Sequence, residues 1–289
     1  MMDTVNDHHE QTLPIKSRVS ARLLIGAGMV MAGLVFLAEQ SLRTGWLFTA
    51  FFPLLGVLLL LPGLVLHNFG LVIAGAIVTG VGSGVFVILN PALDLALYQR
   101  LGLMFAAFGA GFGLVWLISL IWQLKRPAWW ALVPAGVLAG VGGAFWFTSL
   151  RFIDFVLYVL VGLGLALLAW GVFERLLGLI IPGCLLLGVG IGNYLAWGAG
   201  VEQNALSQTG IMLVCFALGF VLVIVFSRVV TPHFVWWPII PGALMAVVGW
   251  GLYLGGNPGG AASFIGNTGS VALILLGLYL LLLRREIRK

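Results

Sequence analysis

The stretch IPGCLLLGVGIG, residues 181–192, recurs as IPGALMAVVGWG at residues 240–251, 59 residues further along the chain. Both copies open with Ile-Pro-Gly followed by a small residue, and both have Val-Gly at their ninth and tenth positions. Each copy lies inside a long apolar segment. Because a helix of about 20 apolar residues crosses a hydrocarbon core of about 30 Å, the copies predict two equivalent membrane-spanning helices.

The composition extends this prediction to the whole chain of 289 residues. Hydrophobic residues make up 62% and charged residues only 8%, and the mean hydropathy is +1.16. Soluble domains are about a quarter charged, so lipid must solvate much of this chain. The net charge of +5 does not indicate nucleic acid, because the basic residues flank apolar segments, where they meet anionic headgroups. The first partner predicted is therefore the lipid bilayer.

Ten apolar segments are long enough to span a membrane, and their continuous apolar character excludes barrel strands. The predicted fold is an all-α polytopic transmembrane bundle. The first segment is interpreted as an uncleaved helix rather than a signal peptide, because Phe36 occupies the −3 position of the candidate cleavage site. The ten segments are 21–38, 46–66, 70–89, 101–122, 128–147, 155–173, 176–197, 210–229, 234–254 and 266–283.

The distribution of Lys and Arg predicts the orientation. With the N-terminus in the cytoplasm, the outer side holds only Arg43, Arg100 and Arg151. Cytoplasmic loops carry an excess of basic residues, so both termini are predicted inside. Residues 1–20 are then a flexible cytoplasmic tail, 21–285 the transmembrane domain and 286–289 a second tail. The cytoplasmic basic residues are Lys16, Arg18, Arg22, Lys125, Arg126, Arg175, Arg228, Arg284, Arg285, Arg288 and Lys289.

The repeated stretch has further copies at residues 73–84 and 133–144, and a looser one at 25–36. Each copy falls in the odd-numbered helix of a predicted helix pair. This regular placement predicts a five-fold parallel repeat of a helical hairpin. The hairpins are 21–66, 70–122, 128–173, 176–229 and 234–283.

Small residues occupy the fourth, eighth and twelfth positions of most copies, and these positions share one face of a helix. Small residues at such spacing let two helix backbones approach closely in lipid, where packing drives association. The repeat is therefore predicted to be a helix-packing device. The predicted packing residues are Gly80, Gly84, Gly136, Gly140, Gly188, Gly192 and Gly251.

Motifs that carry chemistry are missing from the sequence. The segment 188–192 contains closely spaced glycines but lacks the strand and the spacing of a phosphate-binding loop. Cys184 and Cys215 lie in apolar runs and are interpreted as packing residues. No ionisable residue falls at a helix centre, which disfavours a proton-coupled carrier or an ion channel. The sequence predicts no catalytic residue, no cofactor and no metal, and the chain is not expected to be an enzyme.

Polar residues gather in the predicted outer loops instead. Three successive loops each contain one acid and one base, namely Glu39 with Arg43, Asp94 with Arg100, and Arg151 with Asp154. One interpretation is solvated loops with weak ion pairs, each worth about 0–1 kcal/mol. The alternative is an outer recognition surface for a partner or a polar ligand.

The segments WWPIIPGALMAVVGWGLYL (236–254) and LILLGLYLLLLRR (273–285) resemble those of multi-pass membrane proteins of bacteria. They are also weakly similar to the transmembrane regions of envelope-stress proteins of the phage-shock type, which combine a basic residue, an aromatic residue and a Leu/Gly-rich helix pair. The resemblance covers hairpins only and transfers no functional residue. It implies a bacterial inner-membrane protein.

Two main functions remain open from the sequence. A structural or accessory protein, which packs laterally against other membrane proteins or itself, is favoured by the small-residue faces and the missing buried charge. A transporter or channel for a neutral or lipid-like solute is the alternative, favoured by the helix count and the repeats. A membrane enzyme using Glu39, Asp94 or Asp154 would need two or three convergent ionisable groups.

Overall fold

The computed structural model describes residues 16–42, 47–90, 93–124, 127–147, 151–198, 204–231 and 235–286, which form ten α-helices and no strand. The all-α polytopic prediction is therefore confirmed. The helices are α1 (Lys16–Leu42), α2 (Leu47–Val65), α3 (Phe69–Leu89), α4 (Leu97–Ile121), α5 (Leu132–Phe147), α6 (Phe152–Phe173), α7 (Leu177–Asn193), α8 (Ala205–Val230), α9 (Ile239–Gly256) and α10 (Ala261–Glu286).

Eight of these helices, α3 to α10, are long and apolar enough to cross a membrane. The described parts of α1 and α2 contribute shorter apolar stretches, Gly28–Leu42 and Thr49–Val65. Two short elements extend the spans: a 3₁₀ turn, Trp129–Ala131, precedes α5, and a π-helical turn, Tyr194–Gly198, follows α7.

Several helices begin earlier than the apolar pattern predicts. For example, α4 begins at Leu97 rather than at residue 101, and α10 begins at Ala261 rather than at residue 266. At the start of α4, the side chain of Gln99 accepts a hydrogen bond from the Ala96 N–H at 3.3 Å. Polar residues of this kind cap the free N–H groups of a first turn outside the hydrocarbon, where hydropathy gives no helical signal.

From α2 to α9, each helix packs antiparallel against the next helix in the chain. The contacts of Gly75 and Gly82 on α3 illustrate the direction, since they meet Leu60 and Phe52 of α2 respectively. The buried apolar residues accordingly form separate clusters along the row. One surrounds Ala76 and Val115, and another surrounds Ile180 and Val223.

The last helix departs from this order. After the contact of Phe264 with Tyr253, whose ring centroids are 3.8 Å apart, α10 packs against α8. The Arg228 Nη2 group of α8 donates a hydrogen bond to the Tyr279 hydroxyl of α10 at 2.9 Å. The predicted fifth hairpin, 234–283, therefore does not close along its length as a pair of adjacent helices.

Successive connections lie alternately at the two ends of the row. We call the end that holds residues 66–68, 122–124, 174–176 and 235–238 the tight-turn end. The opposite end, which holds residues 93–96, 151, 204 and 257–260, is called the long-loop end.

Three turns at the tight-turn end share an unusual backbone conformation. His67, Gln123 and Arg175 have φ values of 51°, 48° and 55°. In each turn, the N–H of the next residue donates to the carbonyl five residues before it, at 3.0, 3.3 and 2.8 Å. This is the 6→1 hydrogen bond of a Schellman motif, which usually places glycine at the left-handed position. Here a residue with a side chain occupies that position in all three turns.

We expect Arg175→Gly to stabilise the protein by up to about 1 kcal/mol, because glycine adopts positive φ without the steric cost that other residues incur. The matched control is Glu174→Gly, at a neighbouring residue with φ of −85°. That substitution should destabilise by about 0.5–1 kcal/mol, because glycine gains no steric relief there and loses more conformational entropy. Thermal unfolding in detergent measures both, and shifts of the same sign would contradict the left-handed turn.

Candidate functional site

The odd-numbered helices α3, α5 and α7 use one face to contact the helix that follows. A methyl group placed on Gly80 would lie 2.9 Å from the Gly111 Cα of α4, and one on Gly188 would lie 2.9 Å from the Cys215 carbonyl oxygen of α8. Gly84 and Gly192 lie one turn further along and meet the same two helices. Gly136 and Gly140 of α5 meet Gly162 and Tyr158 of α6. At all six glycines, a side chain would collide with the neighbouring helix.

A second face of the same helices, and of α9, contacts the helix that precedes. Its residues occupy the third and tenth positions of the repeated stretch. On α5, for example, a methyl group on Gly142 would lie 2.8 Å from the Gly102 carbonyl oxygen of α4. The face formed by the fourth, eighth and twelfth positions does not indicate this second role, although the glycine shared at the tenth position is a signal for it. The glycines on this second face are Gly75, Gly82, Gly142, Gly183, Gly190, Gly242 and Gly249.

Gly251 departs from the prediction that it packs against a neighbouring helix. It is exposed, and no other part of the described chain lies within 4 Å of the point where its Cβ would stand. Val247, one turn earlier on the same face, has 71% of its surface exposed. The physical reason is the course of α10, which packs on α8 and leaves this face of α9 uncovered.

A cavity of about 330 Å³ lies between α8, α9 and α10. Its walls are almost wholly apolar, with Val221 and Ile224 from α8, Ala246 and Trp250 from α9, and Ala272 from α10 among the lining residues. The hydroxyl in the lining belongs to Thr268, which donates back to the Phe264 carbonyl oxygen of its own helix. The cavity therefore suits an apolar occupant and offers poor solvation to a polar one.

The tight-turn end of this cavity is bordered by a cation and by aromatic rings. Arg228 follows Ile224 by four residues on α8, so the two share a helix face. The guanidinium carbon of Arg228 lies 5.3 Å from the centroid of the Tyr279 ring. Trp237 lies beside Phe220, with 6.5 Å between ring centroids, and 42% of its surface is exposed. The positive charge of Arg228 thus lies just outside the apolar cavity.

The acidic and basic residues predicted to form an outer surface have separate local roles. Arg151 and Asp154 form an ion pair at 3.0 Å, in which the Asp154 side chain is buried. Arg100 instead donates to the carbonyl oxygens of Leu93 and Leu95, while Asp94 is exposed.

Glu39 and Arg43 belong to the first of the three loops. Glu39 accepts a hydrogen bond from the Leu47 N–H at 3.1 Å, which fixes the start of α2. Arg43 lies outside the described residues. The contacts described for Glu39, Arg100 and the Arg151–Asp154 pair are therefore local to the helix starts beside each loop.

Residues suited to catalysis or metal binding are dispersed. Among the described residues, no group of three His, Cys, Asp or Glu side chains could hold a metal ion. Cys184 and Cys215 are buried thiols, and they lie on the facing surfaces of α7 and α8. His67 stacks on Trp122 with 5.1 Å between ring centroids, at the tight-turn end. His233 lies outside the described residues.

Comparison of the chain with protein-family models, with curated proteins and with solved structures found no match in any of the three.

Proposed function

We propose that this chain is a structural protein of the bacterial inner membrane that associates laterally with a second copy of itself. The observation that carries the proposal is an apolar stripe on α9, formed by Ile240, Leu244, Val247 and Gly251. The three large residues have 62%, 63% and 71% of their surface exposed. In a membrane such a stripe contacts either lipid or another transmembrane helix.

The repeat favours another transmembrane helix, rather than lipid, as the contact of this stripe. We propose that α3 to α8 consist of a repeated two-helix unit, whose first helix presents one small-residue face forwards and another backwards. The contacts of Gly80, Gly140 and Gly188 with the following helix support this unit, as do the three similar turns at the tight-turn end. In this unit the following helix covers the eighth position of the repeated stretch. In α9 the eighth position is Val247, which is exposed.

A second copy fits this stripe because a two-fold interface uses the same patch on both partners. The open space beside Gly251 would let two α9 backbones approach closely, as small residues do in other transmembrane pairs. The association would need no charged or hydrogen-bonding group.

Disulfide cross-linking tests the proposal. Val247→Cys is introduced after replacing Cys184 and Cys215 with Ala, and native membranes are oxidised. We expect a covalent dimer, because side chains at the centre of a two-fold interface face their own copies. The matched control is Leu165→Cys, at the middle of α6, where 52% of the side chain surface is exposed. Equal cross-linking at both positions, or none at Val247→Cys, would count against self-association. A product with another polypeptide would assign a different partner.

We also propose that the tight-turn end faces the cytoplasm, because the basic residues concentrate there. Gln123 and Asn204 lie at opposite ends of the row, and both are exposed. A membrane-impermeant thiol reagent applied to intact cells should modify Asn204→Cys fully and leave Gln123→Cys unmodified. Permeabilised cells supply the control, since both positions should react there. The reverse pattern in intact cells would invert the topology.

A carrier for a lipid-like solute is the second candidate, and the apolar cavity between α8, α9 and α10 favours it. Transport needs a path that opens to both sides in turn, whereas structural association does not. Reconstitution into liposomes with a fluorescent phospholipid in one leaflet distinguishes them. Transfer that depends on the protein and is lost when Ala246→Phe fills the cavity would support the carrier.

A further inference from the structure

We propose that the cavity between α8, α9 and α10 binds one anionic phospholipid, with an acyl chain between the helices and the phosphate at Arg228. This site is independent of self-association through the stripe on α9. The cavity is lined by residues such as Ile239, Ala243 and Ala246, whereas the stripe uses the neighbouring positions Leu244, Val247 and Gly251.

The dimensions of the cavity fit an acyl chain. Its volume of about 330 Å³ falls within the range of about 300–1,000 Å³ that is typical of small-molecule sites. From Thr268, which lines it, to Tyr279 at its tight-turn end, α10 rises about 16 Å at 1.5 Å per residue. One leaflet of a hydrocarbon core is about 15 Å deep. A lipid whose headgroup lies beside Tyr279 would therefore place its tail along the cavity.

The walls exclude the other kinds of occupant. A polar solute would lose its hydrogen bonds to water among Val221, Ile224 and Ala272, at a cost of several kcal/mol per group. A transmembrane helix is about 10 Å across with its side chains, and a cavity of this volume cannot admit one. The packing gap left by the displacement of α10 from α9 is the size of a flexible hydrocarbon chain.

Apolar walls alone do not select one lipid, because lipid tails are as apolar as the side chains that they contact. Selectivity comes from Arg228, one helical turn beyond Ile224 in the cavity wall. A guanidinium group offers paired N–H donors that match the geometry of a phosphate. The Tyr279 hydroxyl accepts a hydrogen bond from the Arg228 Nη2 group and fixes the position of the charge.

Aromatic side chains at the tight-turn end support the placement of the lipid headgroup at the level of Arg228. Trp236 and Trp237 have 61% and 42% of their surface exposed, and they directly precede Pro238 and Ile239, which line the cavity. Indole rings favour the interface between hydrocarbon and headgroups. Arg228, Tyr279 and the two Trp residues thus mark one interfacial level.

Lipid retention measured by native mass spectrometry tests the site. The full chain is extracted from bilayers that contain phosphatidylglycerol and excess phosphatidylcholine, and the lipids that remain bound are counted. We expect the wild type to retain one phosphatidylglycerol. Arg228→Gln should reduce the preference for phosphatidylglycerol over phosphatidylcholine by about tenfold, because one charge-assisted contact is lost. Arg151→Gln, which removes a cation at the long-loop end, should leave the preference unchanged.

Filling the cavity tests the tail separately from the headgroup. Ala246→Phe should remove the retained lipid whatever its headgroup, whereas Val247→Phe, which points from the exposed stripe, should not. Thermal unfolding of each variant identifies any that fail to fold, and the Arg228→Gln comparison decides the question if Ala246→Phe is one of them. Equal retention of the two lipids by the wild type, or an unchanged preference in Arg228→Gln, would overturn the proposal.

Discussion

The double substitution Gly188→Leu, Gly192→Leu should lower the free energy of unfolding by about 3 kcal/mol or more, and it should abolish folding if the native margin is small. A methyl group on Gly188 would lie 2.9 Å from the Cys215 carbonyl oxygen, and one on Gly192 would lie 2.8 Å from the Cys215 Cβ. Overpacking costs about 1–3 kcal/mol per site in well-packed cores. Backbone atoms cannot rotate away as side chains do, so α7 and α8 would have to separate.

The measurement is thermal unfolding of the purified protein in detergent. Two controls add bulk where the described chain has no neighbour. Gly277→Leu places the same side chain at a glycine of α10 with nothing within 4 Å of its Cβ position. Leu280→Phe enlarges a residue with 53% of its surface exposed. Both controls should unfold within a few degrees of the wild type. If the double variant does so too, α7 and α8 do not touch at these glycines.

Alanine substitutions at two glycines of α4 should change the free energy of unfolding in opposite directions. Gly111→Ala should destabilise by about 1–3 kcal/mol, because its new methyl group would lie 2.8 Å from the Ala76 carbonyl oxygen and 3.1 Å from the Gly80 Cα of α3. Gly113→Ala should stabilise by up to about 1 kcal/mol, because alanine has the higher helix propensity and no atom lies within 4 Å.

The two positions share helix, depth and chemistry, so helix propensity cannot account for a difference between them. The unfolding temperatures of the two variants, measured side by side, isolate the contact between α3 and α4. A rise at both positions would mean that Gly111 does not face α3, and the packing order described for the row would then be wrong at its second pair.

The sequence predicted the helices well because a membrane span is a property of one segment. Length and apolar character set each span, and polar ends, such as Gln99 before the apolar part of α4, shifted several of the boundaries. The small residues of the repeated stretch also indicated which positions could approach a neighbour. They could not indicate which neighbour, because the same glycine composition serves contacts with the preceding and the following helix.

The sequence pattern could not predict which helix α10 packs against. Its apolar residues are equally suited to contact α9, α8 or lipid, since hydropathy does not distinguish a helix surface from an acyl chain. A partial signal existed at Val247, where three of the four earlier copies have glycine at the equivalent position. The cavity exists because α10 packs on α8 instead of α9, and the place of Arg228 beside the cavity has the same cause. No sequence motif indicates either feature.

The packing of α2 to α9 mainly against sequence neighbours has a consequence for biosynthesis. Contacts between residues close in the chain give a low contact order, and such proteins gain their native contacts early. Each new helix leaving the ribosome finds its docking surface already inserted in the bilayer, and it need not wait for a distant segment. Linear arrays of this kind also tolerate a change in the number of units, because stability is distributed over nearest-neighbour interfaces. A gene that lost or duplicated one helix pair would encode a shorter or longer row, with its remaining interfaces intact.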